Sequence, residues 1–224
     1  MKDTYLHEHK RLLTIIAREV ADTSRYVGRD YLDPATHAAL MAVPRHVFVP
    51  PELRDKAYEN RPLPIGLDQT ISQPYIVAIM TDMLRLSPDS RVLEIGTGCG
   101  YQAAVLSKIA SRVITLERIG ALADSARVRL AGLNYENVTV LHADGAKGWQ
   151  AEAPYDGIIV TAAAKKAPHL LLKQLRPGGR LVVPVGRRDW TQSLIVFEKN
   201  RKGAVSESCH LPVAFVPLLE NIEV

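Results

Sequence analysis

The feature that most limits what this chain can become is the stretch Val92-Leu93-Glu94-Ile95-Gly96-Thr97-Gly98-Cys99-Gly100-Tyr101. An apolar run long enough for one buried strand passes into a turn with glycine at every second position, and then into a helical stretch. Glycine adopts backbone conformations closed to other residues and lets a ligand approach the main chain. In open α/β sheets ligands bind just beyond the carboxyl ends of the strands, which is where this turn falls. Its neighbours agree. Apolar runs at Val113 to Glu117, Val138 to Leu141, Gly157 to Thr161 and Arg180 to Val185 alternate with helical stretches at about Tyr101 to Ala110, Ile119 to Ala131 and Pro168 to Gln174. This alternation predicts an α/β fold with a doubly wound, mostly parallel sheet. Leu194 to Phe197 and Val213 to Leu218 read as further strands that close the sheet in antiparallel fashion.

The front of the chain follows another pattern. Leu12, Leu13, Ile15, Ile16 and Val20 recur at roughly helical spacing over residues 4–22, and Pro34 opens a second short helix toward Met41. From Pro44 to Gln73 prolines break any periodicity, so an ordered loop is expected. A loop of that length inside a compact unit points to a binding or lid role. Ile76, Ile79, Met80, Met83 and Leu84 then form the stripe of an amphipathic helix. The chain therefore divides into a helical and Pro-rich cap, residues 1–75, packed on an α/β core, residues 76–224, in one compact domain.

Composition narrows the function. At 224 residues with 47% hydrophobic and 23% charged content, the chain has the make-up of an ordinary globular protein. The net charge of +4 is spread without a dense basic stretch, which argues against a nucleic-acid partner. Cys99 and Cys209 stand outside any metal-ligand spacing and read as free thiols, so no metal is expected. No apolar run approaches the roughly 18 residues of a membrane span, and charged residues crowd the N-terminus where a secretory signal would be apolar. A cytoplasmic enzyme without membrane partners is expected.

The glycine spacing selects among cofactors. A dinucleotide turn reads GxGxxG, whereas Gly96, Gly98 and Gly100 give GxGxG, with Tyr101 next. Glu94, just before the turn, would repel a pyrophosphate and attract a cationic sulfonium and amino group. Glu117 ends the next strand, where an acid can accept hydrogen bonds from both ribose hydroxyls of an adenosine. Asp144-Gly145 follows the third strand, where a carboxylate could read an adenine amino group. Together with Thr97 these residues predict binding of S-adenosylmethionine, released as S-adenosylhomocysteine. Taken singly, each has a plain alternative: a bare tight turn, a partner for a buried basic group at Glu94, a turn former at Asp144.

Beyond the glycine turn the chain closely resembles the protein-L-isoaspartate O-methyltransferases. The likeness is carried by Val43-Pro44-Arg45-His46-Val47-Phe48-Val49-Pro50, Arg61 to Gly66, Gln69-Thr70-Ile71-Ser72-Gln73-Pro74-Tyr75 and the Glu94 to Ala103 stretch, and it continues through Gly148-Trp149, Ala153 to Asp156, Ile158 to Ala163, Gly178 to Leu181 and Phe215-Val216-Pro217-Leu218. It runs from about Val43 to Leu219, and Gln69 to Pro74 is its most particular segment. The resemblance implies a class I, Rossmann-like methyltransferase that acts on isoaspartyl proteins and peptides and starts their repair through a succinimide. It implies that Gln69, Thr70, Ile71 and Ser72 touch cofactor, that Ser72 sits at the reacting centre, and that Phe215 and Val216 help hold the substrate backbone. Cys99 stands where similar proteins often have serine, a change of small consequence for size.

The chemistry fits what the sequence lacks. Methyl transfer from a sulfonium is an in-line displacement, and a carboxylate is already ionised at neutral pH. No general base is needed, and His46, in the Pro-rich stretch, reads as a packed or exposed loop residue. Ser72 precedes the amphipathic helix, so it could be a simple N-cap as well as a substrate contact. A methyltransferase for another acceptor and a cofactor-binding module without catalysis are the alternatives. Thr161-Ala162-Ala163-Ala164 lacks the Asn/Asp-Pro-Pro-aromatic pattern of base amino-methylation, and no Pro-Cys nucleophile is present.

Overall fold

The computed structural model describes residues 3–186 and 191–219. Helix α1 (Asp3–Asp22) buries Leu12, Leu13, Ile16 and Val20 and leaves Ile15 on its outer side, a one-sided stripe that needs a partner. A short α2 (Ser24–Val27) ends at Gly28 in the left-handed region. In α3 (Pro34–Ala42) the Asp33 carboxylate accepts from the Ala35 N–H at 2.8 Å and Pro34 takes the first helical position, where its missing N–H costs nothing.

The Pro-rich stretch carries more structure than its sequence suggests. It contains two 3₁₀ turns, Arg45–Val47 and Pro51–Lys56, and a hairpin of β1 (Leu63–Gly66) and β2 (Gln69–Ile71). The expected loop is corrected to this extent, and the reason is chemical. Leu67 and Asp68 turn the hairpin with φ of 50° and 56°, a conformation usually announced by Asn-Gly. Helix α4 (Pro74–Met83) follows, buried along nearly its whole length.

The remaining chain builds a seven-stranded sheet in the order β5-β4-β3-β6-β7-β8-β9. Its strands are β3 (Arg91–Ile95), β4 (Arg112–Glu117), β5 (Val138–His142), β6 (Tyr155–Val160), β7 (Leu175–Val185), β8 (Gln192–Lys199) and β9 (Val205–Val213). β3 to β7 are parallel to one another, and β8 runs antiparallel to both of its neighbours. Helices α5 (Tyr101–Ser107), α6 (Gly120–Gly132) and α7 (His169–Gln174) belong to the crossovers. The chain winds outward from β3 through β4 to β5 and then returns to place β6 on the other side of β3. That reversal opens a crevice at the carboxyl ends of β3 and β6.

Strand alternation sorts the core. Leu93, Ile95, Ile114, Leu116, Ile158 and Val160 fill one face of the sheet. Val92, Val113 and Ile159 belong to the other face, whose apolar cluster also takes in α1, α3, α4 and the hairpin. Cap and sheet thus share one body of apolar packing.

One expected strand is displaced. Ladder pairing in β9 ends at Val213, and residues 214–218 form a strap that crosses to the end of β6 instead of continuing in the sheet. There the Ala163 N–H donates to the Val216 carbonyl and the Leu218 N–H to the Ala163 carbonyl, each at 2.8 Å. Pro217 supplies no N–H and cannot continue a ladder on both edges.

Candidate cofactor and substrate site

A cavity of about 830 Å³ lies at the carboxyl ends of β3, β4 and β6. The glycine turn forms one wall; the segment Gln69 to Gln73 and the strap close it from the other side.

The turn has little freedom. Gly96 has φ of 95°, and a Cβ there would stand 2.4 Å from the Thr161 Oγ1, so only glycine fits. The Thr161 hydroxyl is held at that place by the carbonyls of Ile95 and Gly96, at 3.0 and 2.7 Å. Gly98, with φ of 53°, turns its N–H onto Glu117 Oε2 at 2.8 Å. Glu117 Oε1 accepts from the Ile119 N–H at 2.9 Å. One carboxylate therefore ties the glycine turn to the loop after β4.

Most of the expected site residues meet here. Gln69, Thr70, Ile71, Ser72, Gly96, Thr97, Gly98, Glu117, Gly145, Phe215 and Val216 all line the cavity. Glu94, Gly100 and Asp144 do not. Gly100 shapes the wall from behind, as the left-handed residue that starts α5. Asp144 caps its own turn, accepting from the Ala146 N–H at 3.0 Å, with the Lys147 ammonium 3.5 Å away. Both contacts lie within the turn that follows β5. Sequence reasoning passed over Ile119, Thr161 and Gln102, which also line the cavity. Ile119 follows an expected strand end and was open to the same reasoning as Glu117. Thr161 enters only because β6 pairs with β3, an adjacency no local pattern announces.

Glu94 is fully buried on the cap-facing side of β3, and neither carboxylate oxygen has a hydrogen-bond partner among the described residues. Among the described residues no ion pair places a basic group beside it. Burial raises its pKa to about 8, neighbouring Glu117 adds to the rise, and Thr115 beside it pulls the other way. Free of its proton, Glu94 would be an uncompensated negative charge within the wall.

Ser72 is on the cavity, between β2 and α4. The N-cap of α4 is Gln73 and not Ser72, which corrects the simple capping alternative and leaves the hydroxyl without a partner among the described residues. Pro74 brings no N–H, the Tyr75 N–H donates to Asn60 Oδ1 at 3.1 Å, and that of Val77 bonds to Gln73. The Ile76 N–H is the first-turn donor left over among the described residues, and Ile76 lines the cavity. Asn60 in turn donates to Glu19 on α1, which also accepts from Gln73 at 3.4 Å. The N-terminal helix therefore braces the turn that carries Ser72. His46 takes no part in the cavity; it stacks on Tyr5 at 4.1 Å and bonds the Tyr58 hydroxyl at 2.8 Å.

Among the described residues no group of His, Cys, Asp and Glu could hold a metal ion, and no helix is long and apolar enough to cross a membrane. Both cysteines are free thiols, Cys99 buried and Cys209 exposed.

Comparison with known proteins gives a consistent result. The chain is 50% identical over 216 residues to protein-L-isoaspartate O-methyltransferase 2 of Syntrophobacter fumaroxidans, covering 96% of this chain and 87% of the relative. It is 49% identical over 219 residues to the enzyme of the same name from Nitrosococcus oceani, covering 98% of this chain and all of the relative. The fold matches a Plasmodium falciparum chain described as a protein-L-isoaspartate O-methyltransferase in complex with S-adenosyl-L-homocysteine, with a TM-score of 0.79, 24% identity, and 95% and 99% of the two chains covered. The family model for protein-L-isoaspartate(D-aspartate) O-methyltransferase matches residues 25–223, and the chain belongs to that family.

Proposed function

We propose that this protein transfers a methyl group from S-adenosylmethionine to the free carboxylate of L-isoaspartyl residues in damaged proteins and peptides. The observation that carries this reading is a single cavity with two chemically different walls. One is a glycine turn tied to a carboxylate; the other presents a serine hydroxyl and a helix amide, both without partners among the described residues, beside an extended strap.

The first wall suits an adenosyl cofactor. Gly96, Thr97 and Gly98 let it lie along the main chain, and Glu117 has acceptor capacity left for ribose hydroxyls, since a carboxylate offers about four lone-pair positions and two are used. Gly145 lets the turn after β5 pack closely on β3, since a Cβ there would stand 2.3 Å from the Ile95 side chain, and its main chain lines the adenine side of the cavity. Asp144 and Gly100 support this wall from behind. The cofactor supplies a methyl group activated on a sulfonium.

The second wall receives the acceptor. The Ser72 hydroxyl donates a hydrogen bond to a carboxylate oxygen, and the Ile76 N–H at the positive end of α4 offers a second donor. Gln69, Thr70 and Ile71 exclude water on the cofactor side. Because the acceptor is ionised at neutral pH, alignment and a dry site carry the rate, and no proton has to move. Phe215 and Val216 place the flanking peptide in extended form on the strap. The resulting methyl ester is a better leaving group than the free acid, so succinimide closure follows off the enzyme. Isoaspartyl chains are the partners, and two free thiols suit the reducing cytoplasm.

Transfer of radiolabelled methyl to an isoaspartyl peptide, with its aspartyl twin as control, tests the proposal. Base-labile label on the isoaspartyl peptide alone is the expected result. Equal labelling of both peptides, or label only on nucleic acid or a small molecule, overturns it.

A further inference from the structure

The strap that closes the cavity is pinned from its far side by one side chain. Gln192, the first residue of β8, is buried at 3% exposure and pairs in register with Val213, the last residue of β9. Two residues further on, the ladder has ended and the side chain replaces it. Gln192 Oε1 accepts from the Phe215 N–H at 2.7 Å, and its Nε2 donates to the Phe215 carbonyl at 3.0 Å. A carboxamide is the one neutral side-chain group that can accept and donate in this way, as a strand residue would.

The consequence is a sorted edge. In an extended segment the main-chain groups of alternate residues face opposite sides. Phe215 spends both of its groups on Gln192, so they are closed to a ligand. On the opposite edge the Val216 carbonyl and the Leu218 N–H are occupied by Ala163. The Ala214 carbonyl and the Val216 N–H are left without partners among the described residues, and both residues line the cavity.

We infer that Gln192 is a positioning residue for the acceptor peptide: by holding Phe215 it fixes the rotation of the strap, so that the Ala214 carbonyl and Val216 N–H face the cavity in register for one residue of an extended main chain. Phe215 then serves substrate through its side chain only. The inference rests on the methyltransferase reading for what fills the edge, but not for the clamp itself.

The test uses the full-length protein with Gln192→Ala and Gln192→Glu. Steady-state methylation of an isoaspartyl peptide in Gln192→Ala is expected to show KM raised about tenfold, the effect of losing two ordering hydrogen bonds, with kcat and calorimetric affinity for S-adenosylhomocysteine changed no more than about twofold. Gln192→Glu at pH 8 sets a carboxylate against the Phe215 carbonyl and should match the alanine variant. As the pH falls, the protonated acid regains an O–H donor, and KM should return toward the wild-type value. Amide exchange should lose protection at Phe215 in Gln192→Ala and keep it at Leu218.

An unchanged KM, equal weakening of peptide and S-adenosylhomocysteine, or a Gln192→Glu profile parallel to wild type overturns the inference. So does retained protection at Phe215 in a folded Gln192→Ala protein. Wild-type protein that leaves the peptide unmethylated sinks the functional reading instead, and Phe215 exchange still decides the clamp.

Discussion

Glu117 and Gly98 are joined across the carboxyl ends of β3 and β4: carboxylate oxygen Oε2 accepts the Gly98 N–H at 2.8 Å. The same group accepts the Ile119 N–H at 2.9 Å, so the acid proposed to hold ribose also sets the glycine turn. Hydrogen bonds to a charged group contribute about 1.5–3 kcal/mol each. Glu117→Ala is therefore expected to weaken S-adenosylhomocysteine by at least about tenfold by calorimetry, with a smaller loss of turnover once cofactor is saturating. Undiminished affinity would remove Glu117 from the cofactor site.

Ser72 separates catalysis from cofactor binding. Its hydroxyl has no partner among the described residues and no capping duty, so Ser72→Ala should leave the melting temperature near wild type. Turnover of isoaspartyl peptide should fall by about tenfold or more, the scale of one hydrogen bond to a charged acceptor. Initial rates beside calorimetry with S-adenosylhomocysteine check this, and an unaltered rate defeats the assignment.

Gly96 tolerates no side chain as long as Thr161 keeps its place. Gly96→Ala combines an unfavourable φ of 95° with a 2.4 Å contact to Thr161 Oγ1, and should cost at least about 2–4 kcal/mol. Thr161→Ala removes the contact along with two hydrogen bonds to carbonyls. The double variant should then be more stable than the sum of the single losses in urea unfolding. Strict additivity would mean that the clash is relieved elsewhere.

Glu94 makes stability depend on pH. Its folded pKa of about 8 lies above the unfolded value near 4.3, so the folded state holds the proton more tightly. The contribution is full below the unfolded pKa, declines as pH rises through the window between the two values, and is lost above about 8. Glu94→Gln keeps a neutral group at the site. Its melting temperature should vary less than wild type between pH 6 and 9, and exceed it at pH 9. Parallel melting curves for the two proteins would show that Glu94 is ionised throughout.

Asn60 links α1 to the turn before α4, accepting from the Tyr75 N–H at 3.1 Å and donating to Glu19. Asn60→Ala strands both partners and should destabilise the protein by about 1–3 kcal/mol while lowering turnover through displacement of Ser72. Chemical denaturation and peptide kinetics measure the two effects. A stable variant with full activity would show that the brace is dispensable.

Much of the sheet was legible because buried parallel strands are written as short apolar runs between helical stretches, as at Val92 to Ile95 and Val113 to Glu117. The hairpin was hidden, since Leu67-Asp68 is not one of the Asn-Gly, Asp-Gly or Gly-Gly pairs that announce such a turn. The strap was mistaken for a strand because Phe215-Val216 has strand composition, and composition does not say which partner a segment finds.

The sequence alone determined the alternating α/β order, the glycine turn and the acid at the end of the following strand, because each depends on local backbone preference or on burial period. Tertiary structure decided that Thr161 locks Gly96, that Glu19 reaches the Ser72 turn through Asn60, and that Gln192 clamps Phe215. These pairs lie 65, 41 and 23 positions apart in the chain or are bridged over such spans. Only the packing of the cap on the sheet and the order of the strands bring them within hydrogen-bond reach, and no local pattern encodes that distance.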